Sequence, residues 1–387
     1  TSGNVTITEE KNAAGYVEIK NSTSIHAYQA GDKRYYGEQA TVKLQDKDGY
    51  YDHIYYVNGE KNEDITTSGL GLGDEHNNIN RSFYMTKEGI SGEIIAKTKE
   101  FSLDFEYDAE APTCVTTLDT DDNIVRTLET SITFGIYKNH AIEAKVKLSD
   151  TQSGVNGMSY FIAKTDAEKE KYEDLLTKDD YAEALAEEQF TDAGKPDENN
   201  TWTIKNIGKL EGEDKLDPNN YIIFVKAKDN VGNVMIYGSN GIVLENMHDI
   251  SVTYTETEGA GVISNEWRDV TYYSGDAKLN LTAKEGASDP KFYSGLEQMG
   301  YQISYMDGDG KTGEDKEVII SNKYPEGVTL KKLTDYRTIT TSPDIVFKND
   351  PTKSRVITVT APKEDTKDNA GNTMEADAVH TLVLDSV

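Results

Sequence analysis

Lys228-Asp229-Asn230-Val231-Gly232-Asn233 occurs a second time as Lys367-Asp368-Asn369-Ala370-Gly371-Asn372, with one residue changed. Each copy follows a run suited to a β-strand: Tyr221–Ala227 before the first and Val356–Ala361 a little before the second. The chemistry is that of a tight turn. An Asp side chain accepts hydrogen bonds from backbone N–H groups just ahead of it, and Gly supplies a position with φ > 0. The stretch therefore reads as a connection between antiparallel strands. Asp229, Gly232, Asn233, Asp368, Gly371 and Asn372 are read as structural turn residues, with no catalytic, cofactor-binding or metal role.

A second pair of motifs lies upstream. Ser153-Gly154-Val155-Asn156-Gly157-Met158-Ser159-Tyr160 matches Ser294-Gly295-Leu296-Glu297-Gln298-Met299-Gly300-Tyr301 at Ser, Gly, Met and Tyr. Gly154 precedes Asp229 by 75 residues and Gly295 precedes Asp368 by 73. Two motifs that hold their separation this closely mark a repeated structural unit about 140 residues long. Three units follow: 1–108, a shorter and degenerate copy; 109–249; and 250–387. In the first, Gly49 and Tyr55 keep the Gly-to-Tyr spacing, but the Asp-Asn-x-Gly-Asn turn is missing. There Glu93–Lys97 and Phe101–Tyr107 are expected to be joined by a shorter link. Val5–Thr8, Tyr16–Ile19 and Ala40–Leu44 alternate as half-buried strands do.

Composition agrees with sheets that keep one face in water. Apolar residues make up 36% of the 387, and Tyr contributes 24 of the 35 aromatics, which suits half-buried strands. A net charge of −29 disfavours nucleic acid and anionic membranes as partners. The single cysteine, Cys114, rules out an intrachain disulfide framework and reads as a buried structural thiol. The six histidines show no metal-ligand spacing and no nucleophile motif appears, so the chain is expected not to be an enzyme.

Three local features add detail. Thr165 to Phe190 carries a capping-box spacing and apolar residues on one helical face, so one or two short helices are expected at about 165–190. Gly69-Leu70-Gly71-Leu72-Gly73 lacks the Lys-Ser/Thr of a phosphate cradle and reads as a loop. Asp307–Glu314 fails as a calcium loop, because Lys311, Thr312 and Val318 stand where a donor, a Gly and a bidentate Glu are needed. No cofactor is expected, with calcium left open at the aspartates that close units, Asp108, Asp249 and Asp385.

These residues resemble the tandem immunoglobulin-like repeats of bacterial cell-surface proteins, especially adhesins of Gram-positive, gut-dwelling kinds. The resemblance is carried by Asp150–Gly154 with Tyr160, by Ala227–Asn233, by the Asp108/Ala111-Pro112 joint, and in the third unit by Ser294-Gly295, Tyr301 and Asp368–Asn372. It implies an all-β chain of tandem immunoglobulin-like antiparallel β-sandwiches, with a helical insertion in the second. It further implies a non-catalytic, extracellular, secreted or surface-bound segment of an adhesin or stalk, flanked by similar units. Its partners would be host glycoprotein, glycan or immunoglobulin. The alternative is an accessory carbohydrate-binding region of a secreted glycan-degrading enzyme, for which Trp202 and Trp267 are the rings to inspect.

Overall fold

In a computed structural model the structure describes residues 13–59, 61–73, 75–118, 122–124, 134–164, 178–246, 249–258, 264–267, 270–286, 294–321 and 337–385. The expected strand Val5–Thr8 and the first half of the helical insertion lie outside them. The rest is almost entirely β: tandem sandwiches whose apolar cores fall within 17–105, 118–244 and 250–384.

In the first sandwich β1 (Lys33–Val42), β2 (His53–Asn58), β3 (Ile79–Glu88) and β4 (Phe101–Tyr107) belong to one sheet, ordered β1-β4-β3-β2. The strand Ile94–Lys97 also pairs with β3, through Thr86↔Lys97 and Lys87↔Ala96. It is thus the first half of the strand that β4 completes, the short link between them lying in line rather than turning. The turn sits earlier, where Gly89 N–H donates to Glu93 O at 2.7 Å. Gly69–Gly73 also differs from its loop reading. Leu70–Gly71 pairs with β1, and Leu70 and Leu72 are buried in the core.

The second sandwich contains β5 (Thr113–Leu118), β6 (Phe134–Lys138), β7 (Ile142–Ser149), β8 (Val155–Lys164), α1 (Lys178–Ala184), β9 (Thr201–Ile207), β10 (Asn219–Asp229) and β11 (Gly241–Leu244). One sheet contains β5-β7-β9 and the other β6-β11-β10-β8. In β7, Ala144, Val146 and Leu148 are buried while Lys145 and Lys147 are exposed, so the alternation in sequence is the alternation in space. β10 breaks that rule, with Tyr221–Val225 buried without interruption. Its second face is covered by α1, whose Tyr181 joins Leu185, Ile222, Phe224 and Val243 in a separate apolar cluster. A strand covered on both faces reads as a continuous apolar run.

The third sandwich repeats the plan with β12 (Ile250–Glu258), β13 (Val270–Tyr273), β14 (Ala277–Glu285), β15 (Leu296–Asp307), β16 (Thr312–Ser321), β17 (Arg355–Ala361) and β18 (Ala378–Leu384). One sheet holds β12-β14; the other runs β13-β18-β17-β15-β16. Asp307–Glu314 is the β15–β16 hairpin, and Arg355 Nε donates to Asp307 Oδ1 at 2.7 Å.

Each sandwich closes in the same way. Its last long strand runs parallel to an early one: β4 with β1, β11 with β6, β18 with β13. The next residue then donates its N–H to that early strand: Asp108 to Tyr36 O at 2.9 Å, Glu245 to Lys138 O at 2.9 Å, Asp385 to Tyr273 O at 2.8 Å. Asp249 is therefore not the counterpart of Asp108 and Asp385. Backbone pairing gives that place to Glu245. No helix among the described residues is long and apolar enough to cross a membrane.

Candidate functional site: carboxylates at the joints

The repeated turns lie where one sandwich meets the next. Asp229 Oδ1 accepts the N–H groups of Val231 (3.0 Å), Gly232 (2.6 Å) and Asn233 (2.8 Å). Gly232 stands at φ +101° and Gly371 at φ +88°, where a side chain is strained. Asn230 Nδ2 donates to Ser153 O and Gly154 O, and Asn369 Nδ2 to Ser294 O and Gly295 O. The two sequence motifs are thus neighbours across one strand pair, joined at Val155↔Asp229 and Leu296↔Asp368. That contact explains their constant separation.

The last Asn of each turn reaches the preceding sandwich. Asn233 Nδ2 donates to Asp108 O at 2.9 Å and Asn372 Nδ2 to Glu245 O at 3.3 Å. The residue before the glycine is buried in both turns, Val231 in one and Ala370 in the other. At the first joint the approach is tight. A Cβ on Gly37 of β1 would stand 2.8 Å from Val231 O, and one on Gly232 would stand 2.8 Å from His26 Cδ2. At the second, the nearest atom to a Cβ on Gly371 is Asn139 Nδ2 of the second sandwich, at 3.5 Å.

Three carboxylates converge at each joint: Asp108, Asp150 and Asp229 at the first, Glu245, Glu285 and Asp368 at the second. One oxygen from each lies within 4.8 Å of the others in its group. The members correspond one to one: the residue that closes a sandwich, the acid at the end of β7 or of β14 in the next, and the turn Asp. Among the described residues, no lysine or arginine forms a salt bridge with any of the six.

The first group is satisfied by the backbone. Asp108 accepts from Glu110 N and Ser153 N, and Asp150 Oδ1 from Gln152 N and Gly154 N. The second is buried throughout, with Glu245 and Glu285 at 0% exposure and Asp368 at 1%. Glu245 Oε2 accepts Ser294 N and Glu285 Oε2 accepts Gly295 N, each at 2.9 Å, while Oε1 of both glutamates is buried without a partner. Burial, reinforced by neighbouring negative charge, pushes both glutamate carboxyls far above their ordinary range. Burial lifts Asp368 to about 6 against the pull of hydrogen bonds from Asn372, Ala370 and Gly371. Asp229 is also raised by burial, with Asn233 opposing.

All six residues read from sequence as turn residues lie at these joints, two of them within the carboxylate groups. Sequence reasoning singled out Asp108 at a joint and counted Asp150 in a motif, but placed Asp150 at no joint and missed Glu245 and Glu285 altogether. The signal for Asp150 was its place three residues before Ser153 in Asp150-Thr151-Gln152-Ser153-Gly154. Of the aromatic candidates, Trp202 is buried with Nε1 donating to Gly194 O, whereas Trp267 is 59% exposed. Burial pushes the Cys114 thiol up to about 11, away from the thiolate form.

No protein-family model matches the chain, and no curated protein matches it. Among solved structures it is similar to the fibronectin(III)-like modules of Clostridium thermocellum CbhA. That likeness has 10% identity and a TM-score of 0.25, covering 70% of this chain and 92% of that one. It is also similar to dimeric latent PorU from Porphyromonas gingivalis, with 8% identity and a TM-score of 0.21, over 96% of this chain and 34% of that one. Likeness at this level says nothing of function.

Proposed function

We propose that the chain is a non-catalytic segment of a secreted or cell-surface bacterial adhesin or stalk. In this reading a firm row of sandwiches binds, or holds out binders for, host glycoprotein, glycan or immunoglobulin. The observation that carries the reading is the joint, built twice from the same parts. The last Asn of a turn hydrogen-bonds the backbone that closes the preceding sandwich, and at the first joint Val231 is buried against Gly37. A chain whose domains work independently needs no such seating, whereas a spacer must hold its reach. The net charge of −29 would keep such a spacer soluble and apart from its copies.

Small-angle scattering tests the spacer directly. A radius of gyration well above the ~21 Å of a 387-residue globule is expected, and a compact value refutes the reading. Binding to a panel of glycans and mucosal glycoproteins, without turnover of glycosidase or esterase substrates, is the expected biochemical profile. The exposure of Trp267 favours the alternative, an accessory carbohydrate-binding region, because a ring open to solvent can stack on a sugar. Loss of polysaccharide retention in Trp267→Ala would select that alternative.

A further inference from the structure

We propose that Glu245, Glu285 and Asp368 hold a divalent cation of the calcium type, clamping the second sandwich to the third. Glu245 follows the last strand of the second sandwich, while Glu285 and Asp368 belong to the third. One ion bound by all three would bridge the joint.

The geometry fits calcium. Calcium–oxygen distances of about 2.3–2.6 Å place any two ligands of one ion no more than about 5 Å apart. The three carboxylates each present an oxygen inside that limit. Oε1 of Glu245 and of Glu285 is buried without a partner, although both residues are fully enclosed and their Oε2 atoms are held by backbone N–H groups. Those N–H bonds fix each carboxylate in place and leave its other oxygen for a ligand. Asp249, outside the group of three, lies close enough to raise Glu285 and leaves both of its own buried carboxylate oxygens without partners.

Charge points the same way. Three enclosed carboxylates beside a single arginine, Arg337, cannot all stay ionised, so protons or a cation must neutralise the rest. Arg337 acts on the Glu285 carboxyl as a positive charge, but its Nη2 donates to the Glu285 backbone carbonyl at 3.0 Å. An all-oxygen, acid-rich donor set selects a hard cation over zinc or copper. Three protein carboxylates on one ion favour calcium over magnesium, which usually keeps several waters and binds through one or two carboxylates. The inference is independent of what the chain binds at its surface.

Calorimetric titration of the chelator-treated full chain with calcium chloride at pH 7.5 tests it, beside the double variant Glu245→Gln/Glu285→Gln. The wild type should bind calcium, and its third-sandwich transition should rise by roughly 5–10 °C at a hundredfold excess over Kd. Magnesium should give a smaller rise. Calcium-free, the double variant should melt no lower than the calcium-free wild type, because its amides carry no buried charge, and it should lose the calcium response. A wild type indifferent to millimolar calcium, or a double variant that keeps the full response, overturns the proposal. A stalk that stays extended without responding to calcium would sink this inference and leave the proposed function standing.

Discussion

The two joints are built on one plan and differ in how their acids are satisfied. At the first, three aspartates spend their oxygens on backbone N–H groups, and Asp150 stands half in water at the head of a tight four-residue turn. At the second, Glu285 is still inside β14, where its N–H donates to Arg337 O at 3.0 Å. Glu245 and Glu285 each use one oxygen on the backbone and leave the other over, enclosed in protein. One extra methylene per side chain separates a self-contained turn network from a group that needs protons or a cation. The lesson is that a repeated scaffold fixes where the acids meet, and side-chain length fixes what they then require.

The largest effects should come from removing the turn aspartates. Asp229→Ala leaves three backbone donors without their acceptor and should destabilise the second sandwich by ~3–5 kcal/mol. Asp368→Ala, measured without calcium, should cost the third less, about 2 kcal/mol, because it also relieves repulsion with two buried glutamates. Calorimetry that finds the reverse order would break the comparison.

Next come the glycines. Gly371→Val should cost ~1–3 kcal/mol from strain at positive φ. Gly232→Val should cost about 1 kcal/mol more, because its Cβ meets His26 and unseats the joint. Equal melting shifts would show that the first joint is looser than its geometry.

The dependence on pH should separate the joints more gently. Asp368 is raised to about 6, and the glutamates beside it are raised further. The folded chain therefore holds these protons more tightly than the unfolded one. Without calcium, third-sandwich stability should be greatest below the ordinary carboxyl range near pH ~4 and fall as pH rises through about 6, by about 3 kcal/mol from Asp368 alone. Tyr137, Asp249 and Arg337 face the same group and modulate the curve. Melting curves from pH 4.5 to 8, with the other carboxylates as a common background, should show a shallower fall for the second sandwich. A flat third-sandwich profile would contradict the burial.

Smallest of all, Asn233→Ala and Asn372→Ala should each cost ~1 kcal/mol. The Asn233 bond to Asp108 O, at 2.9 Å against 3.3 Å, should matter slightly more. Scattering should show a wider spread of inter-sandwich angles in both variants, and unchanged curves would move the seating to Val231 and Ala370.

By itself the sequence determined what is local. Alternation in runs such as Ala144–Leu148 wrote the strands, and Asp-Asn-x-Gly-Asn wrote the turns, because side-chain direction and positive φ depend on a few adjacent residues. The short helix at Lys178–Ala184, with Tyr181 and Leu185 on its buried face, was legible for the same reason. The sites at the joints were not. Asp249 shares a letter with Asp108, yet the place belongs to Glu245, because parallel pairing to β6 and not residue type decides where a sandwich closes. Nor could the text show Ile94–Lys97 and β4 as two halves of one strand beside β3, since register is chosen by the partner. The convergence of Glu245, Glu285 and Asp368 was likewise a tertiary decision: residues far apart in sequence acquire a common environment only when two sandwiches meet, and burial then sets their charge.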